Sequence, residues 1–423
     1  MVTIRPFRAL RPLPEMAPAV ASVPYDVIST QKARSIISEN PFSFLRVSVS
    51  EAEFSEDENP TEAEVFKKSL ENLRDLIEKG VFTQDREPSI YIYRLCRSGK
   101  SQTGIVACCS LDEYEERKIK PHEDTRPEKV ENRTSQMLAL KAHTGLIFLA
   151  FRSHSQIKNL IAKASETTPI YDFYCADGVR QIIWKIPQVE EFTEAFLNVP
   201  ALYIADGHHR IESALRVRKI LRKQNPKQIS ECDFVMAGMF PSDELQILPY
   251  NRLIRDLKGL TEERLITQLK KHFSVKETNQ KTPSRKGEFC MYLGKGKWYL
   301  LTFKGEFKNL DVVERLDVSI LQNFVLSPIL GISDPRTDKR IDFLGGACGI
   351  EELERQVDDF GARLAFSMFP TSIEELFEVA DARKLMPPKS TWFEPKLKDG
   401  LLIHTFGETY ESNTNHRSFQ RNR

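Results

Sequence analysis

A chain of 423 residues is too long for one ordinary hydrophobic core and requires two or three packed units. Its residues are 40% hydrophobic, 29% charged and 9% aromatic, the composition of a soluble globular protein, and 61 Lys+Arg against 60 Asp+Glu leave a formal charge of +1. That balance excludes a global field drawing the chain to nucleic acid or a membrane surface. Seven scattered cysteines, odd in number and without a C-x-x-C pair, argue against a disulfide framework or a zinc site. With no apolar leader and no run of membrane-spanning length, the expected compartment is the cytoplasm.

Residues 1 to about 50 are punctuated by Pro6, Pro12, Pro14, Pro18, Pro24 and Pro41 and read as an extended segment, with a helix from about Thr30 to Glu39. Within it Val23 to Ser29 reads as a rigid turn, with Tyr25 and Asp26 able to line a pocket. An acidic run from Glu51 to Glu64 leads into a helix carrying Phe66, Leu70, Leu73, Leu76 and Ile77, which Gly80 stops. Ile90 to Leu95 and Thr103 to Cys109 alternate as two strands about a turn at Arg97 to Ser101. Gly99-Lys100-Ser101 ends like a phosphate loop, but Arg94 stands where its opening glycine belongs, so the stretch is a hairpin turn.

The chemistry begins at His122-Glu123-Asp124, just ahead of a helix expected to start from a Thr125 cap, with Pro127 in its first turn and Glu128 completing a capping box. Lys129 and Arg133 then lie one turn apart on one face, while Val130, Met137 and Leu138 point to the core. Glu123 is a carboxylate able to take a proton or hold a metal; Lys129 and Arg133 read equally as solvated charges or as anion contacts. Gly145 to Phe151 forms a buried strand and Tyr171 to Ile186 a hairpin about Ala176-Asp177-Gly178.

Ala201-Leu202-Tyr203-Ile204-Ala205 then reads as a short buried strand running into Asp206-Gly207-His208-His209-Arg210, and from there Ile211, Ala214, Leu215 and Leu221 recur at helical spacing. The polar cluster therefore opens a helix, where unpaired N–H groups and the helix dipole favour an anion. Gly207 permits a sharp turn, Arg210 offers a fork suited to phosphate, and Asp206 is a hard oxygen ligand for magnesium or an acceptor for a hydroxyl. Asp-Gly is also a common structural turn, but two histidines and an arginine are not needed to make one.

Further on, Phe234 to Phe240 and Leu245 to Leu248 read as strands, and residues 261 to 310 as helix, strand and a hairpin around Gly294-Lys295-Gly296. Val318 to Leu330 reads as a buried helix, Ile341 to Leu344 as a strand and Ile350 to Phe360 as a helix. Met386 to Lys396 carries Trp392 and Phe393 beside Lys389 and Lys396, either as a cover over an anionic site or as an apolar plug with solvated lysines. The residues from 408 onward read as a disordered tail.

Pro24-Tyr25-Asp26-Val27-Ile28-Ser29, His122-Glu123, Ala205 to Arg210 and Met386 to Lys396 together resemble the domain-of-unknown-function family numbered one-zero-one-five, over nearly the whole chain. More distantly, the Asp-Gly-His-His-Arg turn is similar to that of the ParB/sulfiredoxin superfamily, whose turn binds nucleotide phosphates, and of its free-serine kinases. The resemblance implies a mixed α/β (α+β) fold: an N-terminal segment over 1–110, a ParB/sulfiredoxin-like core over 111–255 and a C-terminal α+β region over 256–407, before the 408–423 tail. It also implies Glu123 as general base, with Asp206 holding substrate or magnesium. His208 joins these as a catalytic residue, and Gly207, His209, Arg210, Lys129 and Arg133 face the nucleotide.

The expected activity is a nucleotide-dependent small-molecule kinase, using ATP or ADP with magnesium on a hydroxyl-bearing substrate such as L-serine. A ParB-like nucleotide-dependent DNA-binding or regulatory protein is the alternative, disfavoured by the balanced charge. A metal-dependent hydrolase using His122, Glu123, Asp206, His208 and His209 ranks last, since adjacent histidines do not readily face one metal.

Overall fold

A computed structural model of the chain describes residues 1–224 and 230–407, so the tail expected to be disordered lies outside the described residues. The architecture is mixed α/β, as expected. Among the described residues two compact units are formed, one from 1–119, 125–224, 230–244 and 395–407, the other from 120–124 with 245–394.

The first unit is built on a nine-stranded sheet. Its order is Ile119–Lys120, Leu202–Asp206, Ile147–Phe151, Phe234–Pro241, Lys100–Ser110, Ile90–Arg97, Arg180–Ile186 and Tyr171–Tyr174, with Ile4–Arg5 also paired to Lys100–Ser110. Phe234–Pro241 runs parallel to Ile147–Phe151, whereas the hairpin partners around Lys100–Ser110 are antiparallel. The strands Ile147–Phe151 and Phe234–Pro241 are apolar along their length, and Ile92, Ile105, Leu149, Ile204, Ile211 and Val235 share one core. Thr61 and Glu64 close a capping box on the helix Glu62–Glu78, whose Leu73 and Leu76 pack with Phe44, Phe82 and Ile403 in a second core.

Two expectations change here. The boundary expected near residue 110 falls within this sheet, because Lys100–Ser110 is hydrogen-bonded to Phe234–Pro241 over six residue pairs, Phe234↔Ser110 through Met239↔Ile105. The helix Pro127–Leu140 has Arg126 at its cap and no side-chain cap bond, so Thr125 and Glu128 form no capping box. Pro127 itself sets the start, since its missing N–H costs nothing at the first helical position and its fixed φ suits the helix.

The second unit is a six-stranded antiparallel sheet, ordered Phe273–Thr278, Trp298–Phe303, Glu288–Tyr292, Leu364–Met368, Tyr250–Ile254 and Ile341–Gly345. Leu253, Cys290, Trp298, Leu353 and Ala365 form its core, with Gly349–Asp358 as a covering helix. Trp392–Phe393 pairs with Ile247–Leu248, and the Trp392 ring meets Tyr250 edge-on at 5.1 Å. No helix among the described residues is long and apolar enough to cross a membrane.

Candidate functional site

The turn after Leu202–Asp206 places Asp206, His208, His209 and Arg210 together at the end of a buried strand. Leu202, Tyr203, Ile204 and Ala205 are buried against the core, and the register with Ile147–Phe151 slips between Ile204 and Asp206. An irregularity of this kind re-aims the side chain at the strand end. Gly207 follows with φ +97°, a left-handed conformation that disfavours any side chain even though an added Cβ would sit 3.4 Å from the nearest atom, Ile147 Cα. The helix His208–Gln224 starts immediately, with Ile211 N–H donating to Gly207 O. Ser213 Oγ donates to Val130 O at 3.0 Å and fixes this helix against Pro127–Leu140.

Each polar side chain of the turn has a defined engagement. Asp206 accepts from Gly207 N–H at Oδ1 (2.9 Å) and from Lys396 Nζ at Oδ2 (3.0 Å). Burial alone would raise its pKa, but Lys396 and then Arg210 outweigh burial and hold the carboxyl well below the usual range. His208 is buried. His209 Nε2 accepts from Arg126 N–H at 3.0 Å, which places its proton on Nδ1, and burial with nearby Lys129 depresses its pKa, so the ring is neutral. Arg210 is only 8% exposed, donates from Nη1 to Leu146 O at 2.8 Å, and has Nη2 3.9 Å from Asp26. Burial would lower the Arg210 pKa; Asp399, Asp26 and Asp206 more than compensate.

Half of the Arg210 fork, expected to serve a phosphate, is therefore committed to the protein itself. Arg133 also departs from expectation: its guanidinium lies 3.5 Å from the centre of the Tyr25 ring and donates to Gln136 Oε1, while Lys129, one turn earlier, is exposed. Lys129, Arg133 and the Asp206–Arg210 turn belong to the first unit, and Glu123 to the 120–124 segment of the second. There His122 is buried, its carbonyl accepting from Met386 N–H.

Lys396 and Asp399 are the participants that pattern reading missed, Lys396 in part. Lys396 reads from sequence as a loop lysine, and no spacing rule ties it to a carboxylate 190 residues away. Among the described residues no group of three or more His, Cys, Asp or Glu side chains is placed to hold a metal. Asp206 is a poor magnesium anchor as it stands, because the Lys396 ammonium occupies the position a cation would take.

Among solved structures the chain is similar to a free serine kinase in complex with AMP, at 16% identity and TM-score 0.35, covering 71% of this chain and 91% of that one. It is also similar to a C-terminally truncated SbnI from Staphylococcus aureus, at 14% identity and TM-score 0.36, covering 71% and 87%. A third is a conserved hypothetical protein from Pyrococcus furiosus, at 13% identity and TM-score 0.32, covering 71% and 95%. Likenesses this weak carry no argument about activity. No curated protein matches the sequence. The family described as "Protein of unknown function (DUF1015)" matches residues 4–319, most of the chain, and the protein belongs to that family.

Proposed function

We propose that this protein is a nucleotide-dependent phosphotransferase acting on a small hydroxyl-bearing acceptor, with ATP or ADP as donor and L-serine as the acceptor to test first. The observation that carries the reading is the turn itself: Gly207 in a left-handed conformation at a helix start, between an ionised Asp206 and a buried Arg210. Helix-opening N–H groups and fixed positive charge suit phosphate oxygens. Phosphoryl transfer asks mainly for positioning and charge stabilisation, which such a turn can supply.

In this reading the backbone at Gly207, the Nδ1–H of His209, Arg210 and Lys129 face the phosphates. Asp206, kept ionised by Lys396, accepts from the acceptor hydroxyl, and His208 stands beside it as a catalytic residue at the phosphates. Glu123 is the general base. Magnesium would arrive as the nucleotide's counter-ion, and no step here is routed through it.

The test is a thermal-shift titration with ATP, ADP, CTP and GTP, each with and without L-serine, followed by a product assay. An adenine-nucleotide shift enlarged by serine supports the kinase. A response to CTP alone favours a ParB-type regulator, and no response to any nucleotide removes the phosphate reading of the turn. Lys129→Ala should weaken nucleotide binding by about 1–2 kcal/mol through one lost charge-assisted contact. Glu123→Gln should abolish transfer with nucleotide binding retained; full activity in that variant would exclude Glu123 as base.

A further inference from the structure

Residues 395–407 belong to the first unit and lie along it as a strap that is fastened at many points. Pro395 O accepts from Gln102 Nε2 at 3.2 Å, Lys398 N–H donates to Tyr93 OH at 3.3 Å, and Ser22 and Asp399 exchange both backbone hydrogen bonds. Leu10 and Ile403 exchange two more, and His404–Thr405 pairs with Ala142–His143. Leu397, Leu401, Leu402 and Ile403 of the strap are buried.

Three charged side chains in the first half of the strap differ in how deeply they sit. Lys398 and Asp399 are each 4% exposed; Lys398 pairs with Asp177, and Asp399 acts on Arg210. Lys396 is the one that reaches the turn. Its ammonium donates to Asp206 Oδ2 at 3.0 Å, with 18% of its side chain and 27% of that of Asp206 open to solvent. An ion pair this open adds little to stability, and the backbone bonds and apolar side chains hold the strap without it. The turn is also held without it, because Asp206 Oδ1 accepts from Gly207 N–H.

What the pair changes is the charge that an anion meets at the helix start. A bare carboxylate there opposes a phosphate; a carboxylate in contact with an ammonium does not. Nor does the pair leave Oδ2 to a divalent ion, which would face the ammonium, like charge against like.

We propose that Lys396 is the fixed cation of this site: its ammonium bridges Asp206 to a phosphate oxygen of the bound nucleotide and takes at Asp206 the place of a magnesium ion. The inference rests on the nucleotide reading of the turn for its ligand. An ammonium has three N–H donors, so it can hold a carboxylate and a phosphate oxygen together. Magnesium that arrives on the nucleotide stays on the phosphates and gains no ligand from Asp206.

The experiment is calorimetric titration of the full chain with ADP and with inorganic pyrophosphate, each in magnesium and in EDTA. The unmodified chain should bind ADP in EDTA within about threefold of its affinity in magnesium. Lys396→Gln turns an uncompensated carboxylate toward the phosphates and should bind ADP about thirtyfold more weakly in EDTA. Magnesium, now able to sit on Asp206 Oδ2, should recover about tenfold of that loss. Lys396→Arg, which keeps the charge, should stay within about threefold of the unmodified chain. Lys398→Gln loosens the same strap away from the turn; it should lower the melting temperature and leave ADP affinity and its metal dependence unchanged.

Loss of ADP binding by the unmodified chain in EDTA overturns the fixed cation, a result that does not depend on how the variants fold. Equal losses of ADP affinity in Lys396→Gln and Lys398→Gln overturn it too, leaving Lys396 as a fastener of the strap. ADP binding that ignores Lys396→Gln removes Lys396 and keeps the nucleotide reading. Pyrophosphate binding that needs Lys396, without ADP binding, keeps the fixed cation and removes the nucleotide; if neither ligand binds, both readings fall.

Discussion

Each unit buries an arginine, Arg210 in the first turn of the helix His208–Gln224 and Arg252 in the middle of the strand Tyr250–Ile254, and the two are treated in opposite ways. Arg210, in the first unit, stands among Asp26, Asp206 and Asp399, which keep it firmly charged despite burial. Arg252, 3% exposed on Tyr250–Ile254 of the second, donates to the carbonyls of Tyr250 and Lys389 and lies 4.8 Å over the Phe343 ring. No carboxylate lies within ion-pair distance of Arg252 among the described residues, and burial pulls its pKa down to about 9. The first is a charge cluster, in which each member compensates another; the second is a single cation held by backbone oxygens and a ring. Clusters of the first kind are where ligands with charge of their own can enter by replacing a partner.

The largest way to break this contrast is Arg210→Met. It leaves buried carboxylates without their cation and should cost about 3–5 kcal/mol in denaturant unfolding. Arg252→Met is the matched control. It removes a charge whose desolvation is barely compensated, and the lost bonds to two carbonyls offset the gain, so the net change should stay within about 1 kcal/mol. Equal losses in the two variants would erase the distinction between the regions.

A second test uses pH. The Asp399 carboxyl titrates near 7 in the fold against an ordinary value of 3.8, so between these values the folded chain holds a proton that the unfolded chain has released. Stability from this group is therefore full below about pH 4 and is lost as pH rises to about 7. The loss is on the order of a few kcal/mol, and Asp399→Asn should flatten it in melts across that range. Asp206 runs the other way: its depressed pKa contributes stability above the unfolded value that is lost on acidification.

Smaller effects sharpen the local picture. Gly207→Ala should cost about 1–2 kcal/mol from its left-handed backbone, since the neighbouring atoms leave room for the methyl. It should also shrink any nucleotide-induced thermal shift. Ser213→Ala removes one hydrogen bond between two helices and should cost about 1 kcal/mol while leaving ligand binding as it is.

Sequence by itself determined the local elements. Alternation marked strands within 90–95 and 103–109, helical spacing ended by Gly80 marked the helix Glu62–Glu78, and the turn residues marked Asp206–Arg210 as the opening of a helix. These follow from interactions within a few residues of one another, which pattern rules capture. The tertiary structure decided the rest. Only folding brings Lys396 to Asp206 and Asp399 to Arg133 and Arg210, and only folding spends one arm of Arg210 on Leu146 O. Whether a guanidinium is a free anion contact or a compensated buried charge depends on what lies hundreds of residues away in the chain, and burial and ion pairing between distant segments leave no periodic trace in the sequence.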